Sequence, residues 1–201
     1  MKNLLIWGRG GHGTVVEEAA MLTGQFSVIE MNEGKDIWPA PTTIKWPKEE
    51  WVVHVAIGDN YQRENISKQL LNIGYSFATI IHPRAFVSPK AKVGQGCYIG
   101  PLASIQTHSI LGNGVIINTN ASVDHDCFIN EYSHIAPGAH LCGTVYVGKR
   151  TLIAVGGVVV PKVKIGDDCI LGASSALVET IEGNGLKMWG IPAKIIEKDN
   201  T

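Results

Sequence analysis

Charge is scarce in this sequence. Of its 201 residues, 17 are basic and 18 acidic, which makes 17% charged and a net charge of −1. Such a balance excludes bulk electrostatic capture of nucleic acid or of an anionic membrane. Long hydrophobic runs are absent too. The apolar stretch at residues 4–7 stops at Gly8, too short for a signal-peptide core, and nothing approaches the roughly 18 apolar residues of a membrane span. The expectation is a soluble, cytoplasmic protein. Cysteine is limited to four residues with no CxxC pair, which removes the usual zinc-knuckle pattern.

What the sequence has instead is a period of six. Stepping from Ile81 to Leu177 in sixes meets only Ile, Leu or Val at all seventeen positions. A helix repeats near 3.6 and a simple strand at 2. A period of six is the mark of a β-helix built from hexapeptides, three hexads to each turn of a triangular prism. Four places after each aliphatic stands a small or mid-sized uncharged residue, such as Ala91, Cys97, Ala103, Ser109, Val115, Ala121, Cys127 and Ser133. Two inward positions per hexad are therefore expected, one large and one small. Cys97, Cys127 and Cys169 occupy the small inward register. Cys97 and Cys169 lie four turns apart, about 19 Å at a strand spacing of roughly 4.8 Å, beyond disulfide reach. All four cysteines are read as reduced.

Residues 1–80 lack the period. Strands are expected at 2–7, 26–31, 52–57 and 77–81, with helices at 14–22 and 61–72, an alternation that implies a small parallel α/β sheet. Gly8-x-Gly10-x-x-Gly13 falls between a strand and a helix, where glycines let backbone N–H groups approach an anion at a helix N-terminus. His12 lies inside that turn. Eighty residues supply only one mononucleotide half, so a mononucleotide or a sugar carried on one fits better than a nicotinamide dinucleotide. Glu30 is a candidate for a ribose hydroxyl. The stretch 32–50, with Pro39, Pro41, Pro47, Trp38 and Trp46, reads as an irregular loop over the sheet edge. The expected domains are 1–80 (α/β), 81–182 (prism) and 183–201 (a turn at Gly183-Asn184-Gly185 and a charged tail).

Within the prism, His125 and Asp126 occupy outward or corner places, where an adjacent carboxylate raises the basicity of a histidine. Asn118 and His134 are further candidates. Positions eighteen apart stack on successive turns, so Gly143 is expected beside His125, with His108 and Thr144 flanking Asp126. A glycine next to a base can offer its N–H to an oxyanion. A three-histidine zinc site is the rival reading. His134 and His140, one hexad apart, sit on different faces and need a subunit interface to meet, so no metal is expected. His54 and His82 are read as structural.

The hexapeptide array, Gly190-Ile191-Pro192-Ala193 and the Gly10-Gly11-His12-Gly13 turn together resemble the bacterial sugar acetyltransferases, in the branch of sialic acid O-acetyltransferases and nucleotide amino-sugar N-acetyltransferases. The resemblance implies a left-handed parallel β-helix after a small Rossmann-like unit, and a homotrimer working in glycan biosynthesis. It implies acetyl-CoA as co-substrate in a groove between prisms, and a nucleotide-linked amino sugar on the N-terminal unit. By the same likeness His125 is the general base and Asp126 tunes it, where relatives often carry Glu. Asn118 and His134 position the base and the thioester. Gly143, Val155 and Ala173 join His134 in holding acetyl-CoA. Gly10, Gly11, His12, Gly58 and Asp59 hold the nucleotide, with Met31 and Asn32 standing where relatives tend to have two aspartates. Transfer to a sugar hydroxyl is the alternative that the residues leave open.

Overall fold

The computed structural model describes residues 1–32 and 46–198. Most of the proline-rich stretch read as a loop, including Trp38, Pro39 and Pro41, lies outside the described residues, as does the end of the chain after 198.

The chain opens with β1 (Asn3–Trp7), α1 (Gly11–Thr23), β2 (Ile29–Asn32), β3 (Trp51–Val55) and α2 (Asn60–Asn72). The three strands form a parallel sheet in the order β2-β1-β3. Alternation along β1 divides its neighbours between two cores. Leu4 and Ile6 face α1 together with Val16, Ala19 and Ala20, while Leu5 and Trp7 face Trp51, Val53, Ile66 and Leu70. The expected fourth strand at 77–81 is reduced to a single bridge from Phe77 to Val53, and the chain then passes into the prism at β4 (Ile80–Ile81).

From there a two-residue strand recurs every six residues to β20 (Ala176–Leu177). The strands stack in parallel, each pairing with the one eighteen residues away: Ile116–Ile117 (β10) lies between Tyr98–Ile99 (β7) and His134–Ile135 (β13). This makes three faces. Face I carries β4, β7, β10, β13, Leu152–Ile153 (β16) and Ile170–Leu171 (β19). Face II contains Ser122–Val123 (β11), and face III Phe128–Ile129 (β12). The periodic aliphatics point inward and are essentially fully buried from Ile99 to Leu177. Ile81, at the open end, is 37% exposed because no turn lies beneath it. Burial of each such side chain contributes about 1.5–3 kcal/mol.

The small register is buried as well, and its polar members find carbonyl partners. The hydroxyls of Ser109, Ser133 and Thr151 donate to the carbonyls of Asp124, Gly148 and Gly166 at 2.6, 2.6 and 2.7 Å. All four cysteines are free thiols.

From Gly96 to Ser174 each corner has a left-handed residue. Positive φ recurs every six residues from Gly96 to Ser174, and only Gly96, Gly114, Gly138 and Gly156 in that series are glycine. Nothing in the side chains announces this period, because a stacked turn imposes the left-handed conformation on Leu102, His108, Asp126 and Thr144 alike.

The expected charged tail is different in the structure. Residues 186–190 and 193–198 form the hairpin β21 (Leu186–Gly190) and β22 (Ala193–Lys198), paired onto β19. Leu186, Met188 and Ala193 belong to the prism core, so the hairpin closes that end of the prism.

The α/β unit packs on face I. Ile80, Tyr98 and Ile116 share a core with Leu4, Ile6 and α1. Arg63 of α2 is 1% exposed and pins the junction. Its Nε donates to the Gly114 carbonyl at 2.8 Å, Nη1 to the Ile57 carbonyl at 2.9 Å, and Nη2 to Asn60 Oδ1 at 2.8 Å and the Tyr132 carbonyl at 2.6 Å. Burial lowers the guanidinium to about 10, which leaves it charged at neutrality. Beside it Glu64 pairs with Lys68, Lys149 and Arg150 at 2.7–2.8 Å. Burial opposes its charge, but these three donors hold its carboxyl down to about 2.

Candidate active site

The corner between β11 and β12 is residues 124–126. His125 Nδ1 lies 2.7 Å from Asp126 Oδ2, and the His125 backbone N–H donates to Asp124 Oδ1 at 2.7 Å. Asp126 is one methylene shorter than Glu but reaches the ring. A carboxylate accepts only, so Nδ1 carries the proton of the neutral imidazole and Nε2 keeps its lone pair. That hydrogen bond, with the charges of Asp124 and Asp126, raises the His125 pKa. The side chain is about half exposed, so Nε2 is open to a substrate. As the eighteen-residue spacing implied, Gly143 lies beside the ring. A Cβ at position 143 would stand 2.5 Å from His125 Nε2, so only glycine leaves the ring in place.

Asn118 and His134 meet each other, with Asn118 Nδ2 3.1 Å from His134 Nε2. They do not meet His125 of the same chain. His134 projects from face I, and the corner carrying His125 joins faces II and III, on the opposite side of the prism. Asn118 Oδ1 is occupied by the Thr119 N–H at 2.8 Å, which orients its amide as donor toward His134. The His134 ring therefore donates from Nδ1, to the Gly58 backbone. Burial and the nearby Arg63 cation depress His134 to about 4, so it is a neutral, fixed side chain at the junction.

Next to it lies a cleft of about 890 Å³ between the loop 58–61 and face I. Gly58, Asp59 and His134 line it, with Leu152 and Ile170 as an apolar floor and Arg150 and Asp168 on the far rim. This volume suits a small-molecule ligand. Asp59 caps α2, accepting the Gln62 N–H at 2.8 Å. Arg150 donates to both carboxylate oxygens of Asp168 at 2.6 Å. Arg63 and Arg150 carried no motif; the Arg150–Asp168 pair is nevertheless visible as an eighteen-residue spacing.

The glycines of the first turn divide into two kinds. Gly8 and Gly13 are packed, since a Cβ on Gly13 would collide with the Gly8 carbonyl. Gly10, Gly11 and Gly58 face open space. The α1 N-terminus has no side-chain cap and no acid in its first turn, the arrangement that favours an anion there. His12 sits edge-on to Tyr98 with ring centroids 5.2 Å apart. Burial, with His54, His134 and Arg63 nearby, lowers it to about 3. Its Nε2 and the Tyr98 hydroxyl are buried without a protein partner among the described residues.

One sequence assignment changes. Glu30 pairs across from Leu5, whose side chain faces away from α1, and its Oε2 accepts from Trp46 Nε1 at 2.8 Å. Met31 is half-buried, packed under α1 beside Gly13 of the glycine turn. Asn32 accepts the Gly8 N–H through its backbone carbonyl at 3.1 Å. Val155 and Ala173 are exposed and adjacent, with the Ser174 N–H bonded to the Val155 carbonyl at 2.9 Å. His54 is buried on the Ala78 carbonyl at 2.9 Å, and His140 pairs with Ser122 Oγ at 2.8 Å.

Comparison with known proteins decides the family. Residues 3–70 match the family described as PglD N-terminal domain. The acetyltransferase domain of PglB from Neisseria gonorrhoeae FA1090, in complex with acetyl coenzyme A, superposes with a TM-score of 0.90 at 33% identity, covering 97% of this chain and 99% of that one. The chain belongs to the hexapeptide-repeat acetyltransferase family. A GDP-perosamine N-acetyltransferase from Caulobacter crescentus, a histidine-to-alanine variant in complex with CoA and GDP-perosamine, gives 0.88 at 32% identity, covering 98% of each chain. Among curated proteins, a GDP-perosamine N-acetyltransferase of Escherichia coli O157:H7 is 33% identical over 106 residues, which is 53% of this chain and 48% of that protein; the match spans less than half of that relative's length. No group of three or more His, Cys, Asp or Glu side chains that could hold a metal ion occurs among the described residues. No helix among them is long and apolar enough to cross a membrane.

Proposed function

We propose that this acetyltransferase moves the acetyl group of acetyl-CoA to the amino group of a nucleotide-linked amino sugar, with His125 as general base. The observation that carries the reading is the corner geometry: Nδ1 held on Asp126 at 2.7 Å, Nε2 open, and Gly143 cleared of side chain beneath it. Whole-length likeness to enzymes solved with acetyl-CoA or with CoA and GDP-perosamine supports the same chemistry.

The nucleotide diphosphate sits at the uncapped N-terminus of α1, over Gly10 and Gly11 and beside His12, with Gly58 and Asp59 at the second loop. The sugar extends into the cleft toward His134. Acetyl-CoA runs along Val155 and Ala173, its thioester near Asn118 and His134. The amine reaches the site as –NH₃⁺ and cannot attack in that form. His125 Nε2 takes one proton from the ammonium as nitrogen adds to the thioester carbonyl, backbone N–H at Gly143 meets the developing oxyanion, and on collapse the carbon–sulfur bond breaks while the second amine proton passes to the departing sulfur, which leaves as the CoA thiol. A placed base contributes about 10²–10⁴-fold.

The base and the cleft lie on opposite sides of one prism, so the working site joins His125 and Gly143 of one copy to the cleft of the next. A homotrimer with prisms side by side supplies this arrangement three times. The setting is the cytoplasm, where acetyl-CoA is made. A thermal-shift panel of UDP-, dTDP-, GDP- and CMP-linked amino sugars, with and without CoA, identifies the nucleotide, because a ligand bound only by the native state raises stability by RT ln(1 + [L]/Kd). Hydroxylamine-stable acetylated product supports N-transfer; no shift with any nucleotide sugar contradicts the reading.

A further inference from the structure

Asp126 has a second imidazole beside it. His108 and Asp126 occupy equivalent corner positions on successive turns, both left-handed with φ near 60° and 58°. The Asp126 N–H donates to the Thr107 carbonyl at 3.1 Å, and the Thr144 N–H to the His125 carbonyl at 2.9 Å, so the three turns are locked in register. The two carboxylate oxygens are divided between the two rings. Oδ2 faces His125 Nδ1 at 2.7 Å, and Oδ1 faces His108 Nδ1 at 3.6 Å. The second separation exceeds a hydrogen bond, but a side-chain adjustment of less than about 1 Å closes it to the 2.7–3.2 Å range.

We propose that His108 is a positioning residue for the acetyl transfer, acting on His125 through Asp126. A carboxylate engaged on one oxygen turns easily about its last bond, since that torsion is broad. An imidazole on the other oxygen limits the rotation and keeps Oδ2 on His125 Nδ1. His108 is distant from the reacting atoms by this geometry and takes no proton from the substrate.

This inference rests on His125 being the base, and the experiment separates the two. kcat and KM for both substrates are measured for His108→Gly, His108→Asn, Asp126→Ala, the double variant His108→Gly/Asp126→Ala, and His125→Ala. Glycine and asparagine both tolerate the left-handed φ, so the corner is preserved, and Asn Nδ2 stands near where His Nδ1 was. Expected for His108→Gly is a kcat lower by about three- to tenfold, within the range of a lost positioning contact, with both KM values unchanged. His108→Asn recovers kcat. In the Asp126→Ala background the His108 change has no further effect, as a double-mutant cycle requires of a residue acting through its partner. Parental kcat in His108→Gly, or an equal loss with Asp126 already removed, overturns the proposal. Near-normal turnover in His125→Ala overturns the base and the proposal together, whereas an inactive His125→Ala beside a parental His108→Gly overturns the proposal alone.

Discussion

Histidine meets opposite surroundings in two regions of this molecule. At the junction between the α/β unit and the prism, His12, His54 and His134 are lowered to about 3, 4 and 4, mainly by burial, with Arg63 among the further causes. At the exposed corner, His125 is raised by Asp126. The junction rings are neutral at physiological pH and work as fixed hydrogen-bonding shapes. The corner ring has a solvent-facing lone pair and a carboxylate behind it, which is what a base needs. Residue type was the same; surroundings decided the role. The reading of His134 as a partner of His125 is consistent with this only between two copies, since the two residues stand on opposite sides of one prism.

The largest expected effect is at the corner. His125→Ala lowers turnover at least about a hundredfold while CoA affinity, measured by calorimetry, barely changes. If the junction rather than the corner supplied the base, that variant would keep its rate. Next is the bolt of the junction. Arg63→Met leaves buried carbonyls of Gly114, Ile57 and Tyr132 without their donor. At about 1–3 kcal/mol for an unsatisfied buried group, a loss above about 3 kcal/mol follows, seen as a Tm lower by roughly 6–12 °C. A Tm within a degree of the parent would mean that the two units do not depend on this side chain. Gly143→Ala is smaller and returns to the corner. Its methyl displaces the His125 ring from Asp126, lowering kcat by about ten- to a hundredfold with an unchanged Tm.

The smallest effect distinguishes the regions by pH. A histidine whose folded pKa is depressed binds its proton more readily when unfolded. Between about 4 and 6.5 the unfolded chain therefore holds more protons, and stability falls as pH drops through that window. Three junction histidines share this sign, and Glu64, held at about 2, adds to it below its ordinary value near 4.5. The raised pKa of His125 acts in the other direction: its contribution is present at low pH and is lost as pH rises through the folded value. Tm measured from pH 8 to 5 should decline below about 6.5, and His54→Asn should flatten the slope, whereas His125→Ala should not. A flat profile in the parent protein would contradict burial as the cause of the junction shifts.

The prism was legible because its signal is strict. An inward aliphatic every six residues gave the faces, and eighteen-residue stacking put Gly143 under His125 and His108 beside Asp126. The corners' left-handed residues are not legible in the sequence, since ten of the fourteen from position 96 to 174 are not glycine. The junction was hidden for a different reason. Arg63 lies in a polar helix with no period that refers to the prism, and its carbonyl partners at Gly114 and Tyr132 leave no mark in side-chain pattern. Glu30 differs from its expected place because one residue of strand register exchanges the two sides of the sheet. The charged C-terminal residues concealed a hairpin whose inward members, Leu186, Met188 and Ala193, are few and widely spaced.

The central claim is that the corner of one copy works on the cleft of another. It is tested by co-expressing two variants, each defective at one end of the site: His125→Ala, and Gly10→Asp, whose carboxylate repels a phosphate at a position where an added Cβ meets no atom within 4 Å. Each alone is inactive. Randomly mixed trimers contain sites with both an intact base and an intact cradle at about one in four, so the mixture should show about a quarter of the parental rate. A mixed preparation, confirmed to contain both chains in one oligomer and still as inactive as either variant, would contradict the account.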